Sequence, residues 1–156
     1  MKKTATLLAI LASLSGVSLF AHEMASPAEE AVFIRHGLMM QMADDLAILG
    51  HMAKGEADYD AALASRSANN IAAVASVISM QQFPQGSEVG KVHDSAALPE
   101  LWTAQEDFLK KATDLGNAAS IMQADAGKDA AAIKGAMAQL GGACSACHKA
   151  YRQPKD

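Results

Sequence analysis

Ile133-Lys134-Gly135-Ala136-Met137-Ala138-Gln139-Leu140-Gly141-Gly142-Ala143-Cys144-Ser145-Ala146-Cys147-His148-Lys149-Ala150-Tyr151 is the stretch on which the fold turns. Ile133, Met137, Leu140, Cys144, Cys147 and Tyr151 recur at alternating steps of four and three, the spacing of one face of an α-helix. The segment from about Lys128 onward is therefore expected to be a helix with both cysteines on its core seam. His148 lies four positions after Cys144, so the imidazole leaves the helix on the side of the thiols.

That Cys-x-x-Cys-His spacing reads as covalent attachment of a c-type haem. Cys144 and Cys147 can form thioethers with the two porphyrin vinyl groups, while His148 takes the iron as its proximal ligand. A redox-active cysteine pair would call for a thioredoxin-like βαβ setting, which the sequence lacks. A closed zinc site wants four ligands, and only three cluster. One covalent haem c is the expected cofactor.

Three more segments carry helical periodicity. Val32, Arg35, Met39, Met42, Leu46 and Leu49 form the seam of a first helix. Ser26 is its expected N-cap, Pro27 its first residue, and Gly50 or Gly55 its end. A second helix over about Asp58 to Gln81 places Leu63, Ser67, Asn70, Val74 and Val77 on one side, with Ile71 and Ile78 flanking them. From Gln82 to Leu98 the pattern lapses among Pro84, Gly86 and Gly90, which reads as a long connection covering a cofactor edge or crossing the bundle. Helical order returns at Pro99 and runs through Leu101, Gln105, Phe108, Ala112, Leu115, Ala119 and Met122 until Gly127. Four amphipathic segments without strand alternation predict an all-α fold, an antiparallel four-helix bundle with a covalently attached haem.

Lys2 and Lys3 precede an uncharged, largely apolar run from Ala5 to Phe20, the pattern of a secretory signal peptide. The run is too short and wrongly flanked for a membrane span. Cleavage is expected after Ala21, giving a leader over 1–21, a haem domain over 22–156, and no stable membrane insertion once the leader is removed. Export together with the haem motif points to the periplasm. The chain from His22 carries 11 basic and 17 acidic side chains, formally −6. Such a surface argues against nucleic acid and favours partners that present a basic patch.

The chain resembles the class II cytochromes c, which include the cytochromes c′. The likeness rests on Ala31-Val32-Phe33-Ile34-Arg35, on Leu98-Pro99-Glu100-Leu101-Trp102, and on Cys144 to His148 followed by Tyr151-Arg152. The resemblance implies that the residue four positions after the first-helix arginine faces the distal side of the iron. It is apolar in the high-spin branch and a ligating methionine in the low-spin branch. Here that residue is Met39, on the core seam, whereas Met40 is rotated by roughly 100°. Met39 is thus the expected sixth ligand; the ordinary reading of such a methionine is core filler, which is how Met42 is read. His36 sits beside the seam and reads as solvated.

Arg35 on a core stripe asks for an anionic partner, and a haem propionate would supply one; the resemblance points the same way. The alternative is an arginine that snorkels to solvent. Arg152, four residues after His148, falls near the imidazole or is a solvated charge. Trp102 and Phe108 are expected to pack around the porphyrin, and His22, His51 and His93 carry no assigned role.

The expected function is electron carriage through a His/Met-ligated haem, without turnover of a substrate. Transient redox proteins are the partners, and the resemblance allows a homodimer. The alternative, if Met39 merely packs, is a high-spin protein binding nitric oxide or carbon monoxide. A haem peroxidase is disfavoured because no distal acid-base pair is evident.

Overall fold

The computed structural model describes residues 26–154; the expected leader and the cleavage point after Ala21 lie outside the described residues. The elements are α1 (Pro27–Lys54), α2 (Ala61–Val77), a 3₁₀ turn (Met80–Gln82), a single turn α3 (Glu100–Thr103), α4 (Gln105–Asp125) and α5 (Ala130–Tyr151). α1 packs on α2, α2 on α4, α4 on α5, and α5 back on α1, the expected antiparallel four-helix bundle. Among the described residues there is no strand, only an isolated antiparallel bridge between Ala97 and Arg152.

Local chemistry sets the helix ends. The Ser26 hydroxyl accepts from the Glu29 amide at 3.2 Å while the Glu29 carboxylate accepts from the Ser26 amide at 2.7 Å, a reciprocal cap at the start of α1. Gly55, at φ 73°, closes that helix in the left-handed region. Gly50, the other candidate, is buried within the helix, where a side chain would meet Met137 of α5. Asp60 caps α2 and Asp129 caps α5 through their carboxylates.

The main core joins Met42, Leu49 and Met52 of α1 to Ala64, Ala68, Ile71 and Ala75 of α2, Leu115, Ala119 and Met122 of α4, and Ile133, Ala136 and Leu140 of α5. Burying each of the larger side chains contributes about 1.5–3 kcal/mol. A second, smaller cluster of Leu101, Phe108 and Tyr151 lies at the end where α4 starts and α5 finishes.

Two expectations are corrected. The seam of α2 is Ala64, Ser67, Ala68, Ile71 and Ala75, about a residue round from the predicted stripe, and Val77 is exposed. Alanine contacts let this helix approach its neighbours closely, so small residues decide its facing and the larger apolar ones fall at the margins. The same closeness shows at Gly127, where an added Cβ would stand 2.8 Å from Ser65 Oγ. The third predicted helix is not continuous from Pro99: Ala104, at φ −126° and ψ 43°, separates α3 from α4. Tertiary contacts hold the break, since Trp102 Nε1 donates to Phe83 O at 2.9 Å and the Tyr151 hydroxyl, whose one hydrogen goes to Asp107, packs 3.3 Å from Ala104 O.

The long connection is ordered by backbone pairing to the end of α5. Leu98 N donates to Tyr151 O at 2.9 Å, and Gln153 N donates to Ala96 O at 2.8 Å.

Candidate haem site

Cys144 and Cys147 are free thiols, half-buried, on the inward side of α5. Cys144 packs against the main core, as does Met39 of α1; Cys147 packs against the smaller cluster, together with Ile78, Met80, Phe83 and Trp102. The two thiols therefore stand where the two apolar clusters meet. Burial pushes both thiols above the ordinary cysteine range.

His148 is exposed one helical step beyond Cys147. Packing around its base, and secondarily the Arg152 cation, hold its imidazole below the usual histidine range, a shift toward the neutral form that metal ligation uses. Arg152 is thus brought near His148, as its spacing suggested; its amide also donates to His148 O at 3.0 Å.

Arg35 is buried, with 5% of its surface exposed, which removes the snorkelling alternative. Its guanidinium turns to the long connection. Nη1 donates to Gln82 O at 3.2 Å and Ser87 Oγ at 2.9 Å, and Nη2 donates to Ser87 O and Ser95 Oγ, each at 2.6 Å. The carbon of the guanidinium lies 5.1 Å from the centre of the Phe83 ring, a cation–π distance. All four hydrogens on the terminal nitrogens are engaged by neutral acceptors, so only Nε remains for an anion such as a propionate. Burial lowers the pKa of the group, yet a guanidinium keeps its charge.

Phe83, which no periodicity marked, is central here. Its ring meets Phe108 edge-on at 4.9 Å, and Phe108 meets Tyr151 in the same manner at 5.6 Å. Trp102 is half-buried beside them, and Phe108 is fully buried. Ser87, Ser95 and the Tyr151–Asp107 hydrogen bond of 2.6 Å also escaped sequence reasoning. The available signal for the serines was a buried arginine needing partners; nothing pointed to which ones. His36 is half-buried, more enclosed than expected.

The donor set fits a haem c: two thiols three residues apart on one helix face, a neutral imidazole beside them, and apolar side chains from α1, the connection and α3 around the thiols. A four-helix bundle with this pentapeptide on its last helix defines a c-type haem protein. A family model described as Cytochrome C′ matches residues 30–152. Cytochrome c-554 of Cereibacter sphaeroides is 52% identical over 119 residues, covering 76% of this chain and 78% of that protein. The crystal structure of cytochrome c′ from Thermochromatium tepidum superposes with a TM-score of 0.73 at 35% identity, covering 83% of this chain and 98% of that one. A nitric oxide complex of a mutant cytochrome c prime from Alcaligenes xylosoxidans gives 0.72 at 28% identity, with 85% and 100% covered. The chain belongs to the cytochrome c′ family, and the family's cofactor is a single covalently attached haem c.

Proposed function

We propose that the chain is an exported, periplasmic electron carrier that turns over no substrate. Cys144 and Cys147 would hold the haem covalently, and His148 and Met39 would supply its axial donors. Bound there, the haem supplies an iron that exchanges single electrons between ferrous and ferric states. The observation that carries this reading is the position of Met39, half-buried on the inner side of α1 and packed on the same cluster as Cys144. A thioether placed there is a donor, which a hydrocarbon side chain is not. Two fixed axial donors also limit the rearrangement that each electron transfer must drive. Among the described residues no helix is long and apolar enough to cross a membrane. Export rests on the Lys2-Lys3 leader pattern.

The likeness at family level leans toward a second reading. The family model is that of cytochrome c′, and the relative from Alcaligenes xylosoxidans is described as a nitric oxide complex. On that reading Met39 only packs, and the side of the iron opposite His148 takes a diatomic gas.

Ferric absorption and electron paramagnetic resonance spectra of the purified protein and of Met39→Leu decide between the two. The carrier predicts a low-spin wild type with a methionine-sulfur charge-transfer band, both lost in Met39→Leu. A high-spin wild type that Met39→Leu leaves unchanged, and that takes up nitric oxide, establishes the gas binder instead.

A further inference from the structure

The chain has two tyrosines and one tryptophan, and their polar hydrogens go to different kinds of acceptor. Tyr59 donates to Ala126 O at 3.0 Å, and Trp102 Nε1 donates to Phe83 O at 2.9 Å. Both acceptors are backbone carbonyls, which do not take up a proton. Tyr151 donates instead to a carboxylate, Asp107 Oδ2, at 2.6 Å. Lys111 Nζ stands 3.2 Å from the same oxygen and steadies it, while the Asp107 side chain is 51% exposed and so open to water.

Tyr151 itself is buried. Its ring belongs to the cluster on which Cys147 and Trp102 also pack. It follows Cys147 by four residues on the same face of α5, one turn from the sulfur that would bond the porphyrin. An un-ionised phenol in such a place is hard to oxidise unless its proton leaves with the electron, because the cation otherwise formed is a charge in an apolar site. Burial, and then the bond to Asp107, keep the Tyr151 phenol protonated through the neutral range. The Asp107 carboxyl, held low by Tyr151 and then by Lys111, is ionised there and free to accept a proton.

We propose that Tyr151 is a redox-active residue, which gives one electron through Cys147 to the haem when a peroxide attacks the iron and passes its proton to Asp107. The inference rests on the covalent haem c alone and goes beyond the electron-carrier reading. Reduction of hydrogen peroxide to two water molecules takes two electrons, and two protons from solvent. One electron comes from the ferric iron, and Tyr151 supplies the other in place of the porphyrin. The phenolic O–H bond breaks: the electron goes inward, the proton binds Asp107 Oδ2, and a neutral phenoxyl radical remains. A one-electron donor at the surface, such as ascorbate, returns the electron, and the proton comes back from Asp107. No distal acid-base pair speeds the attack of peroxide, so the arrangement protects the porphyrin and is not a turnover.

The test is electron paramagnetic resonance of the ferric haem protein frozen after mixing with hydrogen peroxide, with peptide mass spectrometry to locate an added nitroso spin trap. Met39→Ala is measured alongside, so that peroxide reaches the iron whichever axial set holds. A tyrosyl signal is expected, with the trap on Tyr151. Tyr151→Phe loses both, and its Soret band bleaches sooner; Tyr59→Phe changes neither. Asp107→Asn keeps the ring and its packing but removes the proton acceptor, and the radical forms about a hundredfold more slowly, the lower end of what a positioned base contributes. A tyrosyl signal that survives Tyr151→Phe, a trap found on Tyr59 or Trp102, or an unchanged rate in Asp107→Asn overturns the proposal. So does the absence of any radical in both the wild type and Met39→Ala. Should Tyr151→Phe fail to hold haem, the wild-type trap site and the Asp107→Asn rate still decide.

Discussion

Tyr151 donates its phenolic hydrogen to Asp107 across 2.6 Å, tying the last turn of α5 to the first turn of α4 one turn beyond Cys147. Burial, and then this hydrogen bond, push the phenol up to about 12. An unfolded tyrosine ionises near ~10, so the folded state favours the protonated form. The stability from this group is complete below about pH 10 and is lost as pH climbs from there toward the folded value. Circular dichroism through an alkaline titration should show the wild type loosening over that window, with Tyr151→Phe lacking this component. In the same variant the Asp107 carboxyl, held low first by Tyr151 and then by Lys111, should titrate closer to the ordinary aspartate value.

Arg35→Met removes all four donors that hold the connection and leaves buried oxygens at Ser87 and Ser95 without their charged partner. The expected cost is about 3 kcal/mol in urea unfolding. Amide exchange should accelerate first at Val89 and Leu98, whose N–H groups bond within and from the connection. Arg35→Lys, with three hydrogens on one nitrogen, should recover part of the loss and no more.

Gly127→Ala places a methyl group 2.8 Å from Ser65 Oγ, closer than carbon and oxygen can stand. Either the turn between α4 and α5 lifts from α2 or the serine rotates, at about 1 kcal/mol. Ser65→Ala removes the obstructing oxygen. The double variant should therefore be more stable than the sum of the two single effects, which a thermal double-mutant cycle reads directly.

Covalent attachment is tested by mass and extraction. The wild type should gain the mass of one haem and keep it in acidified organic solvent. Cys144→Ala or Cys147→Ala alone should hold it through the remaining thioether, and the double variant should release it.

The bundle was legible because its signal is periodic. Val32, Arg35, Met42 and Leu49 fall buried on α1 as their spacing required, and Ile133, Leu140 and Tyr151 do so on α5. Ser26, Glu29 and Gly55 announced the ends of α1 through side-chain and backbone chemistry confined to a few residues. The seam of α2 was misplaced because alanine carries little hydropathic contrast: Ala64, Ala68 and Ala75 are core contacts that no pattern separates from exposed Ala61 or Ala73. The break at Ala104 has no local cause. It is held from a distance, by the bond from Trp102 to Phe83 O and by the Tyr151 ring and hydroxyl standing against Ala104. At the site, the thiols and imidazole were readable from the pentapeptide. The partners of Arg35 were not, since Ser87 and Ser95 lie 52 and 60 residues away in a segment without periodicity.

α1 runs unbroken for 28 residues, about 42 Å of continuously hydrogen-bonded helix. Phe33 and Met40 point out of it, Arg35 and Met39 point in, and all four lie within about two turns. Such a rod cannot roll at one level and stay still at another. Arg35, lodged between two serines and a carbonyl, is to α1 what a key is to a shaft: it fixes the rotation of the helix about its own axis, and with it the side on which Met39 leaves the backbone.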